Sequence, residues 1–219
     1  MVWESFKLSI LVVTVATIVI ATLGLALGLL FAKGRFFGRE LLASFFTLPL
    51  VLPPTVTGFF LIVLFGRHGL IGAPIYDLTG WTVAFTWQAA VIAAVVLALP
   101  LMVLSARAAI ESVNPQYEIA SYTLGKGQLA TFFRITLPLA RRGIFAGIVL
   151  SFTRALGEFG PVYVFAGTTR RHTEVLATTV FLELSINNLN AALAVSLLMI
   201  AVAAIVLVVV RLFGQGRTI

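Results

Sequence analysis

Five long apolar stretches dominate the sequence and leave few ways in which it can fold. They cover residues 8–31, 41–65, 83–104, 144–166 and 191–210, and only the fourth contains charged residues. A helix needs about 20 apolar residues to cross a bilayer core of about 30 Å, so each stretch is long enough to span a membrane. The sequence therefore predicts an all-α integral membrane protein with five to six transmembrane helices.

The composition supports this fold class and excludes several others. Charged residues make up 11% of the chain, whereas a soluble domain carries about 25%. Cysteine is absent, which excludes disulfides, thiolate metal sites and a cysteine nucleophile. We predict a single transmembrane domain over residues 1–219 with a core of about 6–210. The first stretch is longer than the apolar region of a cleaved signal, about 7–15 residues, and lacks a basic flank, so we expect it to remain as a span.

The basic residues are distributed unevenly among the loops, which predicts the orientation of the chain. With the N-terminus outside, the inner segments hold ten of the fifteen Lys and Arg residues: Lys33, Arg35, Arg39, Arg107, Lys126, Arg134, Arg141, Arg142, Arg211 and Arg217. The outer segments hold four: Lys7, Arg67, Arg170 and Arg171. We therefore expect the loop at 107–142 and the C-terminus in the cytoplasm. The basic residues do not alternate with aromatics on one face, so no nucleic-acid partner is expected.

The longest polar segment lies between the third and fourth apolar stretches. Asn114 followed by Pro115 is typical of a helix start. The Asn side chain can accept a backbone hydrogen bond, and the N–H that Pro lacks would have no helical partner in the first turn. Gly125 and Gly127 suit a helix stop and a tight turn. A second short helix should follow, and Pro138 should limit its length. The segment predicts a compact knob of two short helices, which needs a socket on a partner.

The second apolar stretch contains the pair Pro53 and Pro54, which breaks the helical hydrogen-bond ladder. Within a bilayer, broken backbone survives only where protein or a water-filled cavity satisfies it. Thr55 and Thr57 could therefore line a pathway at a helix kink. Alternatively, the kink serves packing only and the threonine hydroxyls bond to their own helix. The sequence leaves both interpretations open.

The fourth apolar stretch contains the charges of Arg154 and Glu158. A charge in the centre of a bilayer costs about 2.5–3.5 kcal/mol, and such residues usually face the interior of a bundle. The two residues are four positions apart, so they should share a helix face and can neutralise each other. They either line an anion route or form a pair that only locks helices together. Gly157, Gly160 and Pro161 indicate close helix approach or a break near the outer end.

The remaining segments offer no catalytic or metal-binding pattern. No nucleophile–base pair or phosphate-cradling loop is present, so the chain is not expected to be an enzyme; if ATP drives it, another subunit has to bind the ATP. His172 has no second ligand at a metal-binding spacing, and we expect neither a metal nor a cofactor. Residues 172–184 show roughly helical spacing of apolar side chains, which indicates a short interfacial or re-entrant helix.

The polar knob resembles the cytoplasmic signature of ABC importer permeases. That signature reads Glu-Ala-Ala, three residues, Gly, nine residues, and Ile-x-Leu-Pro, and Gly125 precedes Ile135, Leu137 and Pro138 at this spacing. The Glu-Ala-Ala positions correspond to Ile119, Ala120 and Ser121, with Glu118 one place early. The resemblance implies buried small residues at both alanine positions. It also implies that the knob is a coupling loop that docks in a groove of the ATPase subunit.

Two further segments are similar to the molybdate branch of these permeases. One is residues 50–58, which contains Pro53, Pro54, Thr55 and Thr57, and the other runs from Arg154 through Glu158 to Gly160. The resemblance implies an ABC type I transmembrane domain in the cell membrane, paired with a second copy of itself. Two cytoplasmic ATPase subunits and an extracytoplasmic oxyanion-binding protein would complete the importer.

The resemblance leaves the transported anion open. Molybdate or tungstate is favoured by the Leu-Pro-Pro-Thr-Val segment, whereas sulfate permeases carry a segment like the one around Arg154. A transporter driven by an ion gradient is a further alternative, although such proteins often show inverted repeats around broken helices. Five spans with one cytoplasmic knob fit that architecture poorly.

Overall fold

The computed structural model describes residues 2–170 and 172–214, with side chains up to residue 208. Arg171, Arg217 and the side chain of Arg211, which entered the orientation prediction, lie outside the described part. In chain order the helices are α1 (Val2–Lys33), α2 (Arg39–Val51), α3 (Pro54–Phe65), α4 (Gly72–Thr79), α5 (Trp87–Glu111), α6 (Pro115–Thr123), α7 (Gln128–Thr131), α8 (Leu137–Leu156), α9 (Leu176–Ser185) and α10 (Leu189–Gly214). No strand occurs among the described residues, so the predicted all-α fold is confirmed.

Four helical segments of the described chain are long and apolar enough to cross a membrane. They are α1, α5, Gln128–Leu156 and Leu189–Val208. Helices α2 and α3 pass the same test together but are bent by 115° at Leu52 and Pro53, so the number of spans is up to five. The predicted break at the two prolines is therefore present, and it is sharper than a kink.

Helices α1 and α5 run in the same direction and pack very closely. A Cβ on Gly24 would lie 2.4 Å from Cγ of Met102, and a Cβ on Gly28 would lie 2.6 Å from Cβ of Ala106. Both helices therefore end at the same end of the bundle. We call it the basic end, because Lys33 and its basic neighbours lie there. Small residues at helix contacts let backbones approach where lipid offers no hydrophobic driving force.

Helix α8 packs on α5 in the opposite direction. A Cβ on Gly143 would lie 2.5 Å from Cβ of Ala109, and one on Gly147 would lie 2.7 Å from Cβ of Ser105. Helix α5 consequently lies between α1 and α8 and contributes many of the small buried side chains of the core. Helix α8 thus runs from the basic end to the far end of the bundle.

The bent pair α2–α3 connects the two ends of the bundle. Helix α2 begins at the basic end, where Glu40 accepts a 2.9 Å hydrogen bond from Arg107 of α5. Helix α3 lies at the far end, where Phe65 packs against Phe165, which follows α8. The pair is therefore one broken crossing between the ends.

Two sequence predictions about α8 and its flanks are wrong. The fourth span was placed at 144–166, but α8 ends at Leu156 and Gly157 terminates the helix. Pro138 does not stop the preceding helix, because a π-helical turn, Phe132–Thr136, joins α7 to α8. In this turn the Leu137 N–H donates to the carbonyl of Phe132, five residues earlier. The wider turn makes room for the proline ring, which would otherwise clash with the carbonyl four positions before it.

A second π-helical turn, Val162–Ala166, and helix α9 complete the far end. Helix α9 confirms the predicted short helix, although it begins at Leu176 instead of residue 172. The Leu176 N–H donates a 2.7 Å hydrogen bond to Oγ of Ser9, near the start of α1. This bond fixes α9 against the first turns of α1 at the far end.

Candidate functional site

The polar segment between α5 and α8 forms the predicted knob of two short helices. Asn114 caps α6 by accepting a 3.0 Å hydrogen bond from the Gln116 N–H. Gly125 has a φ of 73°, a backbone conformation that glycine adopts without strain. The Lys126 N–H donates a 3.1 Å bond to the carbonyl of Ser121, which closes the end of α6. The knob, α6 and α7 with the turn between them, lies at the basic end.

Buried and partly buried polar contacts fasten the knob to the body of the bundle. The Lys33 ammonium of α1 donates a 2.6 Å hydrogen bond to Oε2 of Glu118. The Thr136 hydroxyl donates a 2.6 Å bond to Oε1 of the same carboxylate. The hydroxyls of Ser121 and Thr131 lie 2.8 Å apart and join α6 to α7. Glu118 thus connects α6 both to α1 and to the start of α8.

The surroundings of Glu118 favour its charged form. Burial alone would raise the pKa of this carboxyl. The hydrogen bonds from Lys33 and Thr136, together with the positive charge of Lys33, outweigh burial and lower the pKa below the ordinary value of glutamate. The contact is therefore an ion pair at neutral pH.

The knob and the turn that follows it also expose large apolar side chains. Exposure reaches 58% for Ile119, 79% for Leu124, 76% for Leu129 and 61% for Phe133. A surface groove of about 630 Å³ lies beside them, lined by Tyr117, Ala120, Ser121, Leu124, Lys126, Arg134, Ile135, Pro138 and Leu139. Exposed apolar patches with a polar rim are typical of protein docking sites.

The structure divides the residues of the signature between the two sides of the knob. Glu118 and Ser121 are buried, as one turn of a helix requires of residues three positions apart. Ala120 is exposed, so the expectation of buried small residues at both alanine positions is wrong for this one. Ile135 and Leu137 are half-buried at the base of the knob, in the π-helical turn and at the start of α8.

The two proline- and glycine-containing breaks predicted from the sequence meet at the far end. A Cβ on Gly160 would lie 2.9 Å from Cβ of Pro54, and one on Gly58 would lie 2.9 Å from the Cα of Pro161. Segments about a hundred positions apart in the chain therefore form one interlocked contact. Glycine is required at both points, because a side chain would push the segments apart.

The threonines beside this contact have different surroundings. Thr57 is 5% exposed, and its hydroxyl has no hydrogen-bond partner within the described residues. Thr55, Pro53 and Pro54 are exposed on the other side of the break. The expectation that both hydroxyls bond to their own helix therefore fails for Thr57.

Arg154 and Glu158 form an ion pair next to this contact. Glu158 is 3% exposed, whereas the Arg154 side chain keeps 35% of its surface accessible. Glu158 lies beyond the end of α8, so the prediction that the two share a helix face is wrong. The helix ends because Gly157 supports helical backbone poorly, yet the turn that follows still brings the carboxylate back to Arg154.

Sequence reasoning missed Lys33 and Thr136 as partners of Glu118. Lys33 entered only as one of the basic residues that predict orientation, and it lies 85 positions from Glu118. No periodicity or motif connects residues so distant in the chain. Thr136 falls within the signature, at its variable position, which carries no expected role.

Comparisons with known proteins agree with the geometry. The family model described as "Binding-protein-dependent transport system inner membrane component" matches residues 24–218. The "Molybdenum transport system permease protein ModB" of Escherichia coli is 42% identical over 179 residues, which cover 82% of this chain and 78% of the relative. The "Sulfate transport system permease protein CysT" of Salmonella typhimurium is 33% identical over 205 residues, which cover 93% of this chain and 73% of the relative.

The fold also matches solved structures of transporters. A bacterial alginate ABC transporter, solved in complex with an alginate pentasaccharide-bound periplasmic protein, aligns with a TM-score of 0.74. The alignment covers 97% of this chain and 76% of that chain at 17% sequence identity. At this identity the likeness concerns the fold alone.

Proposed function

This chain belongs to the family of binding-protein-dependent transport system inner membrane components, and from that premise we propose that it is the permease subunit of an ATP-driven oxyanion importer. The proposed cargo is molybdate or tungstate, delivered by an extracytoplasmic binding protein. Two copies of the chain would enclose the path, and two cytoplasmic ATPase subunits would drive it. The chain itself carries no ATP site in this proposal.

The observation that carries the proposal is the knob at the basic end. It combines a rigid frame, held by the Asn114 cap and the Glu118 contacts, with apolar side chains exposed to solvent. A surface of this kind is stabilised by a partner that covers it. The residues of the signature, from Glu118 to Pro138, make this surface the proposed contact with the ATPase.

The orientation of the chain is part of the proposal. Eight of the twelve basic residues whose side chains the structure describes, Lys33 and Lys126 among them, lie at the knob's end of the bundle, and basic residues are enriched on the cytoplasmic side of membrane proteins. We therefore place the knob and the C-terminus in the cytoplasm and the N-terminus outside. The whole chain acts as one transmembrane domain.

The geometry supports a route by which ATPase closure would reach the far end. From α7 through the π-helical turn to Leu156, the chain is one helical path of 29 residues. Movement of the knob would therefore be passed along α8 to the break at Gly157. There Arg154 and the contact between Gly58 and Pro161 would shift, opening or closing the path between the two copies.

The residues around Arg154 at the far end of the bundle favour passage of the anion over tight binding. Arg154 retains accessible surface for an anion, but its charge is already matched by Glu158. The exposed Thr55 would add a hydroxyl contact, and the buried Thr57 hydroxyl would add another once the break shifts. A conducting path has to bind its substrate weakly enough to release it, so selectivity is assigned mainly to the binding protein.

The test is reconstitution of the chain with its ATPase and binding protein in vesicles. We expect ATP-dependent uptake of labelled molybdate or tungstate that requires the binding protein. Uptake of sulfate alone would assign the chain to the sulfate branch, which the 33% identical relative represents. Uptake that proceeds with neither ATP nor the binding protein would contradict the proposal and favour a gradient-driven transporter.

A further inference from the structure

A cavity of about 800 Å³ lies between the end of α1 and the knob. One wall comes from α1 and the residues after it, and the other from the knob and the start of α8. The lining residues are Ala26, Leu29, Leu30, Lys33, Gly34, Arg35, Glu118, Tyr122, Gln128, Leu129, Phe132 and Thr136. The knob therefore stands beside open space on this side, where apolar packing does not support it.

The Lys33–Glu118 ion pair bridges this cavity. Nζ of Lys33 and Oε2 of Glu118 are 2.6 Å apart. The Glu118 side chain is 12% exposed and the Lys33 side chain 40%. Lys33 is the last residue of α1, which the Gly24 and Gly28 contacts hold firmly against α5. The ammonium group is thus mounted on a rigid support, and the carboxylate is mounted on the knob.

Three other attachments hold α6. Residues 112–114 join it to α5, and a hydroxyl contact joins it to α7, which continues into α8. The third is the 2.6 Å bond from the Thr136 hydroxyl to Oε1 of Glu118. This bond ties α6 to the start of α8, which forms the same wall of the cavity, whereas the bond from Lys33 reaches across the cavity from α1. A force on the exposed face of α6 could therefore tilt this helix, together with the segment to which Thr136 ties it, towards α1 unless something resists it.

We propose that Lys33 is a positioning residue that holds α6 away from the cavity, so that a push from the ATPase moves the bundle and is not absorbed by tilting of the knob. This inference rests on the proposed coupling function of the knob. Lys33 contacts neither the anion nor ATP. Its role is to make the knob stiff in the direction in which the cavity leaves it unsupported.

The decisive quantity is the amount of anion imported per ATP hydrolysed by the reconstituted complex. For Lys33→Met we expect this ratio to fall about tenfold, the factor that loss of one hydrogen bond to a charged group produces in an equilibrium. Lys33→Arg, which can still pair with Glu118, should retain most of it. The double variant Lys33→Glu with Glu118→Lys should recover part of the ratio, because it restores the pair with reversed charges.

The matched control is Lys7→Met at the other end of α1. Lys7 forms an exposed pair with Glu4 at 3.0 Å, so this change removes a lysine pair from the same helix without touching the knob. We expect an unchanged ratio. Distance measurements between labels on the end of α1 and on α6 should show a broader distribution in Lys33→Met alone.

An unchanged ratio in Lys33→Met would overturn the inference. So would failure of this variant to retain the ATPase subunit during purification, because the pair would then serve only to fold the knob. Gly125→Asp separates this inference from the proposed function. If Gly125→Asp uncouples transport and Lys33→Met does not, the inference alone fails; if neither uncouples transport, the coupling role of the knob fails.

Discussion

The backbones of Gly58 and Pro161 meet directly: a Cβ on Gly58 would lie 2.9 Å from the Cα of Pro161. Gly58 lies in the second turn of α3, shortly after the break that follows α2, and Pro161 lies shortly after the end of α8. Interrupted helices leave backbone groups that lipid cannot satisfy, and this contact places protein against one side of each break. A small shift at either break is therefore passed to the other.

Replacement of Gly58 should damage this contact. In Gly58→Ala the added methyl group meets Pro161 and Val164 at 2.9 Å, and we expect a loss of about 1–3 kcal/mol of stability. Thermal unfolding of the detergent-purified chain would measure it. Gly157→Ala is the control, since its methyl group would approach nothing nearer than the Thr153 carbonyl at 3.8 Å. Equal unfolding temperatures in the two variants would show that the contact has room to adjust.

A charge on the turn of the knob should uncouple transport. Gly125 has a φ of 73°, and a Cβ added to it would have no neighbour within 4 Å. Gly125→Asp therefore places a carboxylate in open space on the surface proposed to meet the ATPase. We expect ATP hydrolysis to continue while uptake is lost. Gly38→Asp is matched, because Gly38 has a φ of 82° and open space but lies outside the knob. Normal uptake in Gly125→Asp would remove the knob from the mechanism.

Loss of Arg154 should slow uptake and also affect stability. Arg154→Ala leaves the buried Glu158 carboxylate without its partner, and breaking such a pair costs about 3–5 kcal/mol. Arg154→Met combined with Glu158→Gln removes both charges, so we expect stability close to that of the unmodified chain. Uptake by vesicles should remain slow in this stable double variant. Recovery of uptake together with stability would mean that the pair only locks the chain.

The Lys33–Glu118 pair should give the stability a defined pH dependence. The pKa of Glu118 is lowered in the folded chain, so the pair's stabilisation is fully present above the unfolded pKa of about 4.3. It is lost as the pH falls through the lower folded pKa. The difference in unfolding temperature between the unmodified chain and Glu118→Gln should therefore be constant from pH 7 to about pH 5 and shrink below about pH 4.

The control for this pH series is Glu4→Gln. This change removes the exposed pair with Lys7, which is worth about 0–1 kcal/mol. Its unfolding temperature should follow that of the unmodified chain at every pH. A difference for Glu118→Gln that persists undiminished at pH 3 would argue against the ion pair as its source.

Much of the knob could be predicted from local sequence. Asn114 caps α6 and Gly125 turns the chain because capping and positive φ depend on the residue itself and a few neighbours. The continuation past Pro138 could not be foreseen, because the π-helical turn that accommodates it is a response of the surrounding helix. The exposure of Ala120 could not be foreseen either. It follows from the bonds of Glu118 to Lys33 and Thr136, which decide the side of α6 that faces the bundle.

The sequence by itself determined that this is a helical membrane protein, where its breaks lie and where its polar knob begins and turns. These features depend on the hydrophobicity and backbone preferences of neighbouring residues. Only the tertiary structure decided that Lys33 meets Glu118 and that Gly58 meets Pro161. Such partners are brought together by close packing of helices far apart in the chain, and no local preference encodes that packing.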